Sequence, residues 1–248
     1  MIFKSVKELN HHIKTNCVAI SFGSKGTTYY DKTSNRVIKL FDMALNYDDY
    51  KYFEYKDIDF LRFKGIKNST YLFPIEIIFL NDRAVGYSSE LAKGSSLYRI
   101  DPLSVNLDSI KSAFIKTLLD VKAISNNGIL TDDLPYNTLF YPKGSKLFII
   151  DTDDYSFSDM DSSSLYASNN AQVGNSLKMF LVDGYFDGVV RNNKYLYDLY
   201  KDGDFLTFLR EYRKVLSEMS SKKVVTLGDA SDYIDKENRG SYIRLLAK

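Results

Sequence analysis

The sequence has little of the chemistry on which several enzyme classes depend. Its 248 residues include no tryptophan, one cysteine (Cys17) and two histidines, the adjacent His11 and His12. A single cysteine excludes an intramolecular disulfide and a cysteine-rich metal site. A Ser-His-Asp triad, a Cys-His pair and a multi-histidine zinc site all need histidines near the chemistry, so the sequence disfavours them. We expect both histidines on the surface, and any catalysis to depend on carboxylates, lysines and amides.

The sequence also lacks an excess of charge and any long apolar run. Its formal net charge is +1, with 44% hydrophobic and 26% charged residues, which is ordinary globular composition. This charge balance gives no support to binding of nucleic acid or of an anionic membrane. The first residues are charged and amphipathic rather than a signal peptide, and no stretch approaches transmembrane length. We therefore expect a cytoplasmic protein with one large domain or two lobes.

A stretch rich in carboxylates lies in the middle of the chain. Two short apolar runs, Thr138–Tyr141 and Leu147–Ile150, are separated by a Pro-Lys-Gly-Ser-Lys segment that favours a turn. This pattern predicts a β-hairpin, whose outer ends meet. Asp132, Asn137 and Asp151 are then expected to converge as oxygen ligands for a hard cation such as Mg²⁺.

The same stretch resembles the catalytic core of the protein-kinase superfamily. In that family an aspartate acts as the base, an asparagine five residues later binds metal, and a second aspartate after a strand also binds metal. Asp132, Asn137 and Asp151 follow this order, and the first two have this spacing. The neighbouring residues depart from the family pattern. The lysine expected two residues after the base is Leu134, and Thr152–Asp153 replaces the Phe-Gly after the second aspartate.

An earlier segment resembles the glycine-rich loop and the lysine strand of the same family. A predicted strand at Cys17–Phe22 runs into a segment with two glycines near its first bend, which let backbone amides approach phosphate closely, and a second predicted strand, Arg36–Phe41, follows the turn Asp31–Asn35. Lys39 lies inside the second strand, where a buried ammonium group needs a partner. By the resemblance, the residues that contact the nucleotide are Ser21, Gly23, Gly26, Thr28 and Lys39.

The expected partner of Lys39 is an acidic residue on the next predicted helix, Asn46–Lys64. Asp57 lies in an otherwise apolar stripe of this helix and occupies the place of the acid that pairs with the lysine in kinases. An aspartate has a shorter reach than the family's glutamate. Glu54, one turn earlier, is the alternative, and the sequence leaves both open.

Two further predicted strands, Thr70–Phe79 and Arg83–Glu90, lead into a segment rich in glycine and serine. This order resembles the kinase hinge, whose backbone binds adenine. The resemblance implies hinge contacts from Ser89 and Leu91, with Ser95 near the ribose.

Helices dominate the expectations for the remainder of the chain. Residues 3–14 and Asp108–Ser125 have apolar residues at helical spacing. Tyr155–Asn170 is rich in Ser, Asp and Asn and is predicted to be a loop, the counterpart of an activation segment. Gln172–Gly184 and Tyr195–Leu216 are predicted helices.

Taken together, these segments predict an α+β protein with a bilobal, protein-kinase-like fold. Residues 1–91 would form a mostly antiparallel sheet with one helix, and residues 92–248 a mainly helical lobe. Within that superfamily the chain resembles a divergent, compact bacterial or phage eukaryotic-like Ser/Thr kinase. The resemblance implies ATP and Mg²⁺ as cofactors and a protein hydroxyl as the phosphate acceptor. A small-molecule kinase and a pseudokinase acting as a binding module are the alternatives, since the absent lysine removes a positive charge near the γ-phosphate.

Overall fold

The computed structural model describes residues 1–23, 25–41 and 61–235. The chain divides into two compact units, each made of several segments. The first unit comprises Met1–Ile66, Leu72–Ala92 and Asp151–Asp153, and the second comprises Lys67–Tyr71, Lys93–Ile150 and Asp154–Lys248. Strands and helices occur together, which confirms the predicted α+β class. Among the described residues, no helix is long and apolar enough to cross a membrane.

The first unit is built on a six-stranded sheet. Its strands are β1 (Ile2–Phe3), β2 (Cys17–Phe22), β3 (Gly26–Asp31), β4 (Arg36–Phe41), β5 (Glu76–Leu80) and β6 (Arg83–Glu90). Their order across the sheet is β1-β5-β6-β4-β3-β2. Strands β2, β4 and β6 have the predicted bounds. The sheet is mostly antiparallel, as predicted; the short edge strand β1, which was not predicted, runs parallel to β5 and makes the sheet mixed.

Two predicted elements of this unit begin later than the sequence pattern indicates. Helix α1 (Val6–Asn16) begins after Ser5, whose hydroxyl accepts a hydrogen bond from the backbone N–H of Glu8 at 3.2 Å. This N-cap satisfies one of the free amides at the start of the helix. Phe3 therefore belongs to β1 and to the core rather than to the helix. Strand β5 begins only after Pro74, which has no N–H to donate to a sheet.

The second unit is mainly helical. Its helices are α2 (Leu107–Asn126), α3 (Leu134–Asn137), α4 (Ser162–Val182), α5 (Asp187–Arg191), α6 (Lys194–Asp202) and α7 (Phe205–Ser220). Its strands are β7 (Ser95–Ser96), β8 (Ile129–Leu130), β9 (Thr138–Tyr141), β10 (Lys146–Ile149) and β11 (Ser156–Phe157). Strands β10, β9 and β7 form one small sheet, and β11 pairs with β8. The predicted hairpin is confirmed by the antiparallel pairing of β9 with β10.

Helix α4 corrects the prediction that residues 155–170 form a loop. The carboxylate of Asp161 accepts hydrogen bonds from the backbone N–H groups of Ser163 and Ser164, so the polar run is a capped first helical turn. The helix lies in the core of the second unit and buries polar as well as apolar side chains, among them Asn169 and Ser176. Its apolar residues therefore show no clear helical stripe, which is why its first half resembles a loop in sequence.

The predicted helix at residues 195–216 is also divided. Helix α6 ends before Gly203, and α7 begins after Asp204, whose carboxylate accepts from the backbone N–H of Thr207 at 2.9 Å. A Cβ atom at Gly203, whose backbone is extended, would lie 2.7 Å from the carbonyl oxygen of Leu199, so a glycine ends α6 and an N-capping aspartate starts α7. The two helices contribute the rings of Tyr200 and Phe208, whose centroids are 5.9 Å apart.

Candidate functional site

Four residues of the first unit form one row across neighbouring strands of its sheet. Ser21 of β2 is opposite Thr28 of β3, Thr28 is opposite Lys39 of β4, and Lys39 is opposite Tyr87 of β6. Directly opposed residues in antiparallel strands project from the same face of a sheet. The structure thus places three predicted nucleotide-binding residues, Ser21, Thr28 and Lys39, on one face.

Lys39 is the centre of a buried charged cluster within this unit. Only 7% of its side chain is exposed, and its Nζ donates hydrogen bonds to the carboxylates of Asp151 and, at 3.0 Å, Asp153. The hydroxyl of Tyr87 donates to the same Asp153 carboxylate at 2.8 Å. Hence the buried lysine has acidic partners, as its position in an apolar strand requires. Sequence reasoning named Asp151 as a metal ligand but missed Asp153 and Tyr87.

The predicted partners of Lys39, Asp57 and Glu54, lie outside the described residues, as does most of their predicted helix. The choice between them therefore stays a prediction. The described residues supply Asp151 and Asp153 as partners instead.

The two carboxylates of the cluster have opposite pKa shifts. Burial would raise the pKa of Asp153, but the ammonium of Lys39 and hydrogen bonds from Asp151 and Tyr87 lower it below its ordinary value. Burial raises the pKa of Asp151, and the neighbouring charge of Asp153 adds to this rise. Burial also opposes the charged form of Lys39, yet Asp153 and Asp151 raise its pKa overall. Two carboxylates share one ammonium group here, so the cluster favours the binding of an additional positive charge.

The backbone holds Asp151 in a strained conformation at the end of the hairpin. Its φ angle is +58°, in the left-handed region that residues other than glycine rarely adopt. The backbone N–H of Ile150 donates to the carbonyl of Asn137 at 3.0 Å, so the two ends of the hairpin meet as predicted. The next residue, Thr152, is buried in the first unit and donates its hydroxyl to the carbonyl of Leu72 at 3.3 Å. Strain of this kind persists where neighbouring contacts fix the chain, and it is frequent at functional sites.

The glycine turn between β2 and β3 has a structural requirement of its own. The backbone N–H of Gly23 donates to the carbonyl of Gly26 at 2.9 Å. A Cβ atom at Gly26 would lie 2.1 Å from the carbonyl oxygen of Leu40, whereas at Gly23 the nearest atom would be 3.6 Å away. Close pairing of β3 with β4 therefore explains Gly26 without any ligand.

We expect Gly26→Ala to lower the free energy of unfolding by about 1–3 kcal/mol, because the added methyl group pushes β3 away from β4. Gly23→Ala is the matched control, since it adds the same methyl group where there is room. Urea unfolding of the two variants measures the difference. Equal stability of both variants would contradict the close approach at Gly26.

The predicted hinge residues lie at the end of β6 and beyond it. Ser89 is buried and is opposite Val37 of β4, while Leu91 is 41% exposed just after the strand. Ser95 belongs to the second unit, where it is opposite Phe140. A Cβ atom at Gly94, which has a φ angle of +93°, would lie 2.3 Å from the Phe140 carbonyl, so this position requires glycine.

In the second unit, the predicted base Asp132 lies just before the short helix α3, and the predicted metal-binding amide, Asn137, is the last residue of that helix. Asp132 is exposed, and its carboxylate accepts from the backbone N–H of Asp133 at 2.8 Å. The Nδ2 of Asn137 is 3.5 Å from the carboxylate of Asp133. Burial, followed by the charges of Asp132 and Asp154, raises the pKa of Asp133. This local cluster of carboxylates is suited to accept protons or bind cations.

Helix α4 fixes the backbone immediately before Asp132. The side-chain carbonyl of Asn169, a fully buried residue, accepts from both the N–H and the hydroxyl of Thr131 at 3.0 Å. Its amide donates to Ser125 and to the carbonyl of Ile129, and Gln172 donates to the carbonyl of Thr131 at 2.8 Å. Sequence reasoning missed Asn169 because it lay in a predicted loop. Both backbone polar groups of Thr131 are thus held by side chains of one helix.

Comparison with known proteins adds no relative to this picture: no protein-family model matches the chain, and no curated protein shows significant similarity to it. The kinase resemblance therefore rests on the residues and contacts described above.

Proposed function

We propose that this protein is a kinase-like phosphotransferase that binds Mg²⁺ and ATP and transfers phosphate to a hydroxyl group. The contact between Lys39 and Asp151 is the observation that carries the proposal. The two residues are 112 positions apart, and each was singled out from its own sequence motif. In the kinase scheme the lysine pairs with phosphate oxygens and the aspartate binds the metal, so the scheme requires both in one place.

The cluster in the first unit has a suitable donor set for Mg²⁺ and phosphate. Asp151 offers a carboxylate that is 39% exposed, and carboxylate oxygen is the ligand that Mg²⁺ prefers. Lys39 can exchange its contact with Asp151 for a phosphate oxygen while Asp153 still holds the ammonium. When bound, Mg²⁺ would neutralise charge on the phosphates. Ser21 and Thr28 lie on the same face of the sheet as Lys39, consistent with their proposed contacts to the nucleotide.

The proposed base is Asp132 in the second unit. Its carboxylate is exposed and therefore accessible to an acceptor hydroxyl, whose proton it would take. Asn169 and Gln172 fix the preceding residue, and a base must be fixed in this way because proton transfer requires hydrogen-bond distance. The metal-binding role of Asn137 and the hinge roles of Ser89, Leu91 and Ser95 are proposed from the family resemblance. The preferred acceptor is a serine or threonine hydroxyl of a protein.

A nucleotide-binding module without transfer is the second candidate. Two observations favour it. Leu134, at the place of the family's lysine after the base, is fully buried, so no cation is available from this position. In addition, Asp153 already compensates the charge of Lys39. These features leave binding intact while weakening transfer.

A thermal-shift measurement with Mg·ATP tests the binding half of the proposal. At a ligand concentration about 100 times Kd, binding adds about 2.7 kcal/mol to the stability of the native state. For a chain of this size, that corresponds to a rise in Tm of roughly 5–10 °C. We expect Asp151→Ala to lose the part of the shift that depends on Mg²⁺.

The matched control is Asp159→Ala, which removes an exposed carboxylate in the second unit and should keep the full shift. Each variant is compared with itself in the presence of ATP and a chelator, so changes in intrinsic stability cancel. No shift of the wild-type protein at millimolar Mg·ATP, or an unchanged metal-dependent shift in Asp151→Ala, would contradict the proposal.

A further inference from the structure

Three metal-binding residue types meet in the first unit, where α1 joins the sheet. His12 lies in the last turns of α1, and Cys17 is the first residue of β2, directly after the helix. Asp31 is the last residue of β3 and is opposite Cys17 in the β-ladder. The ligand atoms of these three side chains all lie within 4.8 Å of one another. The cluster combines the imidazole, thiol and carboxylate groups that bind zinc in proteins.

The distance between two of these atoms is suited to a shared ion. His12 Nε2 is 3.5 Å from Asp31 Oδ2, which is long for a hydrogen bond. Two ligands of a tetrahedral zinc ion lie roughly 3.3–3.8 Å apart, given zinc–ligand bonds of about 2.0–2.3 Å. The measured separation therefore matches a pair of zinc ligands.

The imidazole nitrogen itself supplies a second observation. His12 Nε2 is buried and makes no hydrogen bond within residues 1–23, 25–41 and 61–235. Only 17% of the His12 side chain and none of the Asp31 side chain is exposed, which corrects the expectation that both histidines lie on the surface. A buried polar nitrogen without a hydrogen bond needs a physical explanation. A bound cation would provide one.

The surroundings of the three groups orient them for metal binding. Thr33 and Ser34 donate hydrogen bonds to the Asp31 carboxylate; burial would raise its pKa, but these bonds lower it. The other ring nitrogen, His12 Nδ1, is 3.1 Å from the side-chain amide of Asn16. When Nε2 binds a metal, Nδ1 carries a proton, and the Asn16 amide oxygen can accept it after a flip of the amide. Asn16 is thus a positioning residue.

We propose that His12, Cys17 and Asp31 bind a zinc ion that fastens helix α1 to strands β2 and β3. The ion takes three protein ligands, and water completes a tetrahedron. The mixed nitrogen, sulfur and oxygen set favours zinc over Mg²⁺ or Ca²⁺, which prefer oxygen ligands alone. Binding releases the thiol proton to solvent, and the positive charge of the ion stabilises the thiolate. The site is separate from the Lys39 cluster and does not depend on the phosphotransferase proposal.

Cobalt substitution provides a direct test, because Co²⁺ bound to a thiolate gives a sulfur-to-metal charge-transfer band. The metal-free full-length protein is titrated with Co²⁺ alone, and bound Co²⁺ is then displaced with Zn²⁺. Since Cys17 is the only cysteine, any such band must come from it. We expect the band in the wild-type protein, its loss in Cys17→Ser, and a fall in Zn²⁺ affinity of at least about tenfold in His12→Gln and Asn16→Ala.

The chain offers a matched control in His11, the exposed neighbour of His12. His11→Gln should keep both the band and the affinity, which are the properties that His12→Gln loses. Asp151→Ala should also keep them, so failure of the nucleotide proposal leaves this result unaffected. Circular dichroism of each metal-free variant establishes that it is folded. Absence of the band in the wild-type protein, equal Zn²⁺ affinity in Cys17→Ser, or equal losses from His11→Gln and His12→Gln would overturn the proposal.

Discussion

The Lys39→Met variant should have a free energy of unfolding about 3–5 kcal/mol lower than that of the wild-type protein at neutral pH. The reason is the buried carboxylate that loses its contact with the Lys39 ammonium group. Asp153 has only 4% of its side chain exposed, and Lys39 is its cationic partner in the described part of the cluster. Methionine preserves the length and packing of the lysine side chain but leaves the buried Asp153 carboxylate without its ammonium partner. Urea unfolding monitored by circular dichroism measures the difference.

The loss in Lys39→Met should become smaller as the pH falls from 7 to about 4. In the wild-type protein the folded-state pKa of Asp153 is lowered, so its stabilising contribution persists above the ordinary aspartate pKa. In the variant, burial without Lys39 raises the folded-state pKa. When the pKa of a carboxyl group is higher in the folded than in the unfolded state, protonation stabilises the folded state. This stabilisation is complete at a pH below the unfolded-state pKa and is lost as the pH rises through the folded-state pKa. As the pH falls, the variant therefore regains stability at a higher pH than that at which the wild-type protein begins to lose it.

Two further variants separate this explanation from a general effect of removing a cation. Arg36→Met alters the same strand, but Arg36 and Glu76 are 43% and 42% exposed, and such a surface pair contributes about 0–1 kcal/mol. The double variant Lys39→Met with Asp153→Leu removes both buried charges and should recover much of the lost stability. If Lys39→Met costs no more than Arg36→Met, or if its loss is independent of pH, the buried cluster does not contribute as described.

The strands were the part of the fold that the sequence predicted best. Strands β2, β4 and β6 are short runs with Gly, Asn or Asp at their ends, and the hairpin β9–β10 has a turn rich in Pro and Gly. Local residue preferences determine such elements. Helix α4 could not be found in this way, because Asp161 and three serines at its start also favour a loop. Only the packing of α4 in the second unit, with Asn169 bonded to Thr131, distinguishes the two outcomes.

The candidate site was predictable where one residue was anomalous in its own segment. Lys39 interrupts an apolar strand and Asp151 follows one, so each could be identified as a candidate from its local sequence alone. Asp153 and Tyr87 were missed because an aspartate in an acidic run and a tyrosine in a strand are ordinary. Their roles arise from strand register and from the folding of residues 151–153 onto the first unit. These are long-range effects that no local pattern contains.

The cluster of His12, Cys17 and Asp31 shows the same limit. Separately, a terminal histidine pair, a single cysteine and an aspartate at a turn each have an ordinary explanation. The antiparallel pairing of β2 with β3 brings Cys17 opposite Asp31. Helix α1 places His12 beside them, with the three ligand atoms within 4.8 Å of one another. Excluding metal sites rich in one residue type does not exclude a mixed site of this kind.

The largest effect on activity is expected from Asp132→Asn, which should reduce phosphate transfer from Mg·ATP by about 10²–10⁴-fold. Asparagine has nearly the same shape as aspartate and can still accept the hydrogen bond from the Asp133 N–H. It cannot accept the proton of an acceptor hydroxyl. Because Asp132 is exposed, the variant should fold normally and keep the thermal shift with Mg·ATP. Transfer is measured by intact-mass spectrometry of the protein itself, of added protein acceptors and of hydroxylated small molecules.

Asp133→Asn is the matched control for the base, because it makes the same change at the next residue, where asparagine also tolerates the positive φ angle of +51°. We expect it to retain most of the transfer activity. If Asp133→Asn abolishes transfer and Asp132→Asn does not, the base is Asp133 and the assignment from the five-residue spacing to Asn137 is wrong.

Transfer to a small molecule alone would favour the small-molecule kinase. If the wild-type protein binds Mg·ATP but transfers phosphate to none of the acceptors, the phosphotransferase proposal fails. The protein is then a nucleotide-binding module, and the buried Leu134 and the Lys39–Asp153 pair explain why transfer is absent.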